Sequence, residues 1–149
     1  MNILRLLKPK ALLDYVYTDN SVRQVLERLK NHGYTAIPVI NRKGEYVNTI
    51  NEGDILRYII SHGVPDLKEL EKVPVTDVEI RIKNKPVYIT SGIDELILIA
   101  MEQNFVPVID DRNVFSGIVT RRDILQYCHG AVLSYEKAIE LGKIKENDL

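Results

Sequence analysis

The chain has 149 residues, 45% hydrophobic and 28% charged, with 20 basic against 21 acidic residues and a formal net charge of −1. That length suits one ordinary domain or two half-sized units sharing a core, and the lack of a basic surplus argues against nucleic acid as a partner. No apolar run reaches the roughly 18 residues of a membrane span, and the start Met1-Asn2-Ile3-Leu4-Arg5 lacks the long apolar region of a signal peptide, so no membrane partner and a cytoplasmic location are expected.

In chain order, Leu13 to Tyr17 predicts a short strand. Val22, Val25, Leu26 and Leu29 then recur at i, i+3, i+4 and i+7, a helical stripe with Asp19, Asn20 or Ser21 available as its N-cap. Ala36 to Ile40 reads as a buried strand, Asn41-Arg42-Lys43-Gly44 as a tight turn and Glu45 to Ile50 as the returning strand. Ile55, Leu56, Ile59 and Ile60 mark a second helix. Residues 63–85, with Gly63, Pro65 and Pro74 among alternating charges, predict a linker with one short helical turn near Asp66 to Glu71. Asn84 to Ile89 predicts a strand, Ile93 to Met101 a helix, Phe105 to Ile109 and Val114 to Val119 a second hairpin around Asp110-Asp111-Arg112-Asn113, and Arg121 to about Cys128 another helix. Val132, Leu133, Tyr135, Ala138, Ile139 and Leu141 suffice for a separate amphipathic helix after Gly130. The expected division is 1–62 for the first unit, 63–85 for the linker, 86–130 for the second unit and 131–149 for a C-terminal helix or tail.

The organisation is doubled. Ala36-Ile37-Pro38-Val39-Ile40 with Asp54-Ile55-Leu56 returns as Phe105-Val106-Pro107-Val108-Ile109 with Asp123-Ile124-Leu125; Pro38 to Pro107 and Asp54 to Asp123 are each a step of 69 residues. This exceeds the roughly 20 to 50 residues of solenoid repeats, so a compact mixed α/β pair with a ligand cleft between its copies is expected.

The chemistry gathers at Gly117-Ile118-Val119-Thr120-Arg121-Arg122-Asp123. A glycine admits close approach to the backbone, and a helix beginning after Thr120 points free N–H groups and its positive dipole end at an anion. Arg121 and Arg122 supply planar donors for phosphate oxygens, and the Asp123 carboxylate suits the two neighbouring hydroxyls of a ribose. Thr120-x-x-Asp123 and Asn51-x-x-Asp54 also have the layout of a capping box, so the residues alone leave helix capping and nucleotide binding both open. Catalytic signatures such as Gly-x-Ser-x-Gly, His-Glu-x-x-His or a P-loop do not occur, so no enzyme is expected. The single Cys128 and the scattered His32, His62 and His129 lack metal-ligand spacing.

The doubled order of helix, apolar-Pro-Val strand, turn, strand ending in G-x-x-T-x-x-D, and helix resembles a tandem pair of cystathionine β-synthase (CBS) domains, the Bateman module: two pseudo-symmetric βαββα repeats. Gly33 to Val39 with Val114 to Arg122 further resembles the small stand-alone CBS-pair proteins of Gram-positive bacteria, some of which bind cyclic di-AMP. The resemblance implies a regulatory rather than catalytic protein, with AMP, ADP, ATP or cyclic di-AMP as regulatory ligand, no other cofactor, a homodimeric state through helices carrying Tyr58 and Tyr127, and an unidentified regulated protein. It implies a site of Tyr34, Thr35, Ala36 and Pro38 with Thr120, Arg121, Arg122 and Asp123, near Leu13 to Tyr15. Thr35 and Ala36 would meet the adenine edge, Ile37 its face, Asp123 the ribose, and Thr120 with the arginines the phosphates. A weaker second site would pair Asp54 with Tyr88, Phe105 and Val106, because Asn48, Asn51, Glu52 and Gly53 stand where Gly117, Thr120, Arg121 and Arg122 do. The alternative is a ligand-free dimeric scaffold acting only through protein–protein contacts.

Overall fold

The computed structural model describes residues 2–142. Among them run β1 (Lys8–Pro9), β2 (Val16–Tyr17), α1 (Val22–His32), β3 (Ala36–Ile40), β4 (Tyr46–Asn51), α2 (Glu52–His62), β5 (Val87–Tyr88), α3 (Ile93–Ala100), β6 (Phe105–Ile109), β7 (Phe115–Thr120) and α4 (Arg121–Glu140). The βαββα order thus appears twice, as β2-α1-β3-β4-α2 and β5-α3-β6-β7-α4.

Each repeat is a hairpin flanked by a parallel strand. β3 pairs antiparallel with β4 and parallel with β2, while β6 pairs antiparallel with β7 and parallel with β5. The helices bury their apolar stripes on these sheets, as amphipathic periodicity requires. Val22, Val25 and Leu29 join Ile37, Val39, Ile50 and Ile55 in one core; Leu96 and Ala100 join Val87, Val106, Val108, Val119 and Ile124 in the other. Ser21 is the N-cap of α1, with Gln24 completing the capping box, and Gly33 ends that helix at φ 65°, in the left-handed region that favours glycine.

The repeats meet around a third cluster of Ile40, Tyr46, Ile109 and Phe115. Phe115 N donates to Gly44 O at 2.9 Å, and Tyr46 N donates to Asn113 O at 3.1 Å. These are the same bond exchanged between equivalent positions, as a pseudo-twofold axis demands. The stacked Tyr46 and Phe115 rings, 6.2 Å apart, are equivalent too.

Three sequence expectations need correction. The first unit does not begin cleanly at the N-terminus, because β1 pairs antiparallel with β7 and so forms the edge of the second repeat's sheet, in the order β1-β7-β6-β5. Residues 63–85 are not merely a connector: a 3₁₀ segment spans Leu67–Lys72, and Leu70, Val75 and Val78 are buried in the first core. Finally, α4 runs through Gly130 without a break to Glu140; a mid-helix glycine costs only about 1 kcal/mol against alanine, which continuous helical bonding absorbs. The rest of the expected tail, residues 143–149, lies outside the described residues. None of the helices described is long and apolar enough to cross a membrane.

Candidate functional site

A cavity of about 300 Å³ opens between the repeats, lined by Lys8, Leu13, Asp14, Gly33, Tyr34, Thr35, Ala36, Pro38, Asn104, Phe105, Ile118 and Thr120. That volume lies at the lower end of small-molecule pockets. Strand alternation sets much of the wall: Ala36 and Pro38 line the cavity, whereas Ile37, one step out of phase, is wholly buried in the first core and cannot face a base. Phe105 lines the same cavity from the opposite repeat. Its hinge strips, Thr35-Ala36 and Asn104-Phe105, are held by the helices that follow: Glu52 N donates to Thr35 O at 3.0 Å and Arg121 N to Asn104 O at 2.9 Å.

Tyr34 stands at the rim. Its ring stacks on His32 at 5.3 Å and 14°, His32 Nε2 lies 2.8 Å from Asp14 Oδ2, and Arg28 donates to Asp14 Oδ1 at 2.6 Å and to Tyr15 O at 2.9 Å. The rim aromatic is therefore braced from behind by an ionic cluster.

The α4 junction forms only half of the capping box that its sequence permits. Thr120 Oγ1 accepts from Asp123 N at 3.1 Å, but the Asp123 carboxylate does not return a bond to the Thr120 backbone. It turns toward Lys8 instead, with Nζ 3.5 Å from Oδ2. Asp123 lines a hollow of about 420 Å³ next to the cavity, shared with Arg5, Leu6, Leu7, Lys8, Gln126 and Tyr127. Lys8 lines both spaces.

Lys8 is held there by Gly117. In the β1–β7 register Pro9 faces Gly117 and Lys8 faces Ile118, and a Cβ on residue 117, where φ is 154°, would overlap the Lys8 carbonyl oxygen and crowd Leu7. The glycine that the sequence assigns to ligand approach admits a strand.

Arg121 does not line the cavity. Its Nε donates to Ala100 O at 2.7 Å, a carbonyl that α3 leaves open at its end, and to Gln103 O at 3.1 Å in the turn that follows. The expected phosphate donor thus has its Nε turned to these carbonyls. Arg122 is exposed beside Asp123 and lines neither space.

The weaker second site is not assembled. Asp54 is 1% exposed and completes its capping box: Asn51 Oδ1 accepts from Asp54 N at 2.8 Å and Asp54 Oδ2 accepts from Asn51 N at 3.1 Å, while Arg57 donates to Oδ1. Its hollow is shared with Arg57, Tyr58, Ser61, His62, Asp77, Glu79 and Arg81, away from Tyr88, which is exposed on β5; Val106 is buried in the second core. The pseudo-symmetric counterpart of the main cavity, about 290 Å³, is lined by Thr49, Asn51, Glu52, Gly53 and Asn84 with the shared Thr35, Ala36, Asn104 and Phe105; Asp54 does not line it, just as Asp123 lines the adjoining hollow and not the main cavity itself.

Sequence reasoning missed Lys8, Asn104 and Ile118. The repeat was a usable signal for Asn104, because the 69-residue step maps Thr35 onto it; Ile118 lies within the Gly117–Asp123 stretch that the sequence singles out, and Lys8 lies outside the repeated motif and carried no signal.

The architecture defines a protein of two pseudo-symmetric βαββα repeats with paired clefts between them. The CBS domain profile matches residues 12–61 and 74–130, and the chain belongs to the CBS domain family. Cyclic di-AMP receptor B of Bacillus subtilis is 27% identical over 124 residues, covering 83% of each chain. Among solved structures, CbpB in complex with c-di-AMP superposes with a TM-score of 0.79 at 24% identity, covering 92% of this chain and 90% of the other. CbpB of Listeria monocytogenes in complex with c-di-AMP gives 0.74 at 22% identity over 89% and 98%.

Proposed function

We propose that this protein is a regulatory module that binds an adenine nucleotide in the cavity between its repeats and reports occupancy to a partner protein. The carrying observation is the unfinished capping box at Thr120-x-x-Asp123: a carboxylate needed only for capping would close back on the helix, as Asp54 does, whereas the Asp123 side chain is 26% exposed and, among the described residues, its carboxylate pairs with an exposed lysine. Such a carboxylate can accept from both hydroxyls of a ribose once the lysine moves. Ala36, Pro38, Phe105 and Ile118 would sandwich a flat heterocycle, and Tyr34 would close over it.

The candidate ligands are AMP, ADP and ATP, which carry a free ribose diol for Asp123, and cyclic di-AMP, for which the Bacillus subtilis relative is named and which offers Asp123 a 2′-hydroxyl. One adenosine would fill the cavity and a second half would extend over the hollow beyond Lys8. The role is regulatory, as the family resemblance implies, and the location that goes with this reading is the cytoplasm. Exposed Leu56 and Ile60 on α2 and Leu125 on α4, with Tyr58 and Tyr127 at equivalent places, favour a homodimer through these helices.

Isothermal titration of cyclic di-AMP, AMP, ADP and ATP, with Asp123→Ala as control, tests the reading. Binding that is lost in the variant supports it; no heat from any ligand leaves the dimeric scaffold as the better account. Light scattering tests the dimer, and a monomer with and without ligand would refute it.

A further inference from the structure

We infer that Lys8 is a cation that reads the ligand's phosphate, and that its ion pair with Asp123 must open for a nucleotide to bind. The inference rests on the proposed nucleotide site and assigns its specificity. Lys8 is the one basic side chain lining the cavity among the described residues, and it lines the adjoining hollow as well. Arg121 does not line the cavity, and its Nε donates to the carbonyls of Ala100 and Gln103. The base of Lys8 is fixed, since its backbone is paired to β7 and lies against Gly117, where no side chain fits. Its tip is free, because the side chain is 52% exposed and the 3.5 Å separation from Asp123 is longer than the roughly 2.7–2.9 Å of a tight charged hydrogen bond.

This arrangement makes binding an exchange of partners. In the empty site Lys8 and Asp123 neutralise each other. AMP, ADP or ATP takes both at once, the phosphate pairing with Lys8 and the free ribose diol with Asp123, so neither charge is stranded; cyclic di-AMP, whose 3′ oxygens are esterified, offers Asp123 one 2′-hydroxyl per ribose. Adenosine takes Asp123 and leaves the lysine unpaired; inorganic phosphate does the reverse. The site therefore selects for the two groups together.

The experiment compares wild type, Lys8→Met and Lys8→Arg by isothermal titration of cyclic di-AMP, AMP and ATP against adenosine, with melting temperatures recorded for each variant. Lys8→Met keeps the aliphatic stem and removes the charge. The expected result is about a tenfold to hundredfold loss in affinity for whichever phosphorylated ligand binds wild type, unchanged or tighter adenosine binding, and recovery of phosphate preference in Lys8→Arg. Unchanged affinity for that phosphorylated ligand in Lys8→Met overturns the assignment, and so does equal weakening of phosphorylated ligand and adenosine, which would mark Lys8 as a structural strand residue. A wild type that binds none of these ligands overturns the proposed function itself, an outcome distinct from failure of the Lys8 assignment.

Discussion

The two repeats begin their second helices with the same spacing of cap and carboxylate, yet the carboxylates do different work. Asn51 and Asp54 satisfy each other's backbone N–H groups and Arg57 covers the acid, so Asp54 is buried and structural. Thr120 caps its helix alone, and Asp123 faces a lysine from a strand contributed by the far end of the chain. The first repeat has Asn48 where the second has Gly117. Among the described residues only the second therefore accepts an extra strand on its sheet edge, and with that strand comes the cation. A duplicated motif thus becomes asymmetric through what packs beside it.

That asymmetry is sharpest at Gly117. Gly117→Ala should displace β1 and cost about 3 kcal/mol, whereas Asn48→Ala, at the equivalent place, should stay within about 0.5 kcal/mol; chemical denaturation of the two variants compares them, and equal losses would break the contrast.

The carboxylates separate stability from binding. Asp54→Ala should cost about 2 kcal/mol, through the lost cap and the charge of Arg57 left without its partner, with nucleotide affinity nearly unchanged. Asp123→Ala should abolish nucleotide binding at a cost of about 1 kcal/mol or less, because its capping share is small and its lysine is exposed. Melting curves paired with titrations check both, and a matched loss of affinity in the two variants would mean two working sites.

At the shared interface Tyr46 faces its equivalent, Phe115. Burial pushes the Tyr46 hydroxyl up to about 12 from an ordinary value of 10.0, with the hydrogen bond to Thr49 acting in the opposite direction. A phenol whose folded value is raised stabilises the fold fully below pH 10 and loses that contribution as pH rises to about 12, roughly 2 to 3 kcal/mol in all. Tyr46→Phe should cost about 1 kcal/mol at neutral pH for the lost hydroxyl bond, and the stability difference from wild type should shrink and then reverse over that pH window. A constant difference would show that Tyr46 is not the group titrating.

At Arg121 stability and binding should again separate. Its alanine variant loses bonds to the α3 carbonyls and should cost about 1 kcal/mol while leaving ligand affinity unchanged. A selective loss of phosphorylated ligands would return Arg121 to the cavity.

Much of the fold was legible because local patterns carry it. The stripe of Val22, Val25 and Leu29, the Pro-Val strands and the 69-residue step each reflect a helix or strand that must bury one face, and the family resemblance placed Tyr34, Thr35, Ala36, Pro38 and Thr120 near one cleft. The pattern was less informative where a residue's partner lies far along the chain. Leu70, Val75 and Val78 are core residues in a stretch whose prolines and charges read as a linker, and Arg121 reads as a ligand donor because its carbonyl partners on α3 and the residues after it cannot be seen from its own motif.

What the sequence by itself determined is the repeat and the alternation of helix and strand, because periodicity within ten or so residues decides which face of an element is apolar. Tertiary structure alone decided which carboxylate is free. Asp54 and Asp123 share a local motif, and their difference comes from Arg57 on one side and from Lys8 on the other, the latter brought there across 115 residues by a strand pairing that only a glycine at position 117 permits.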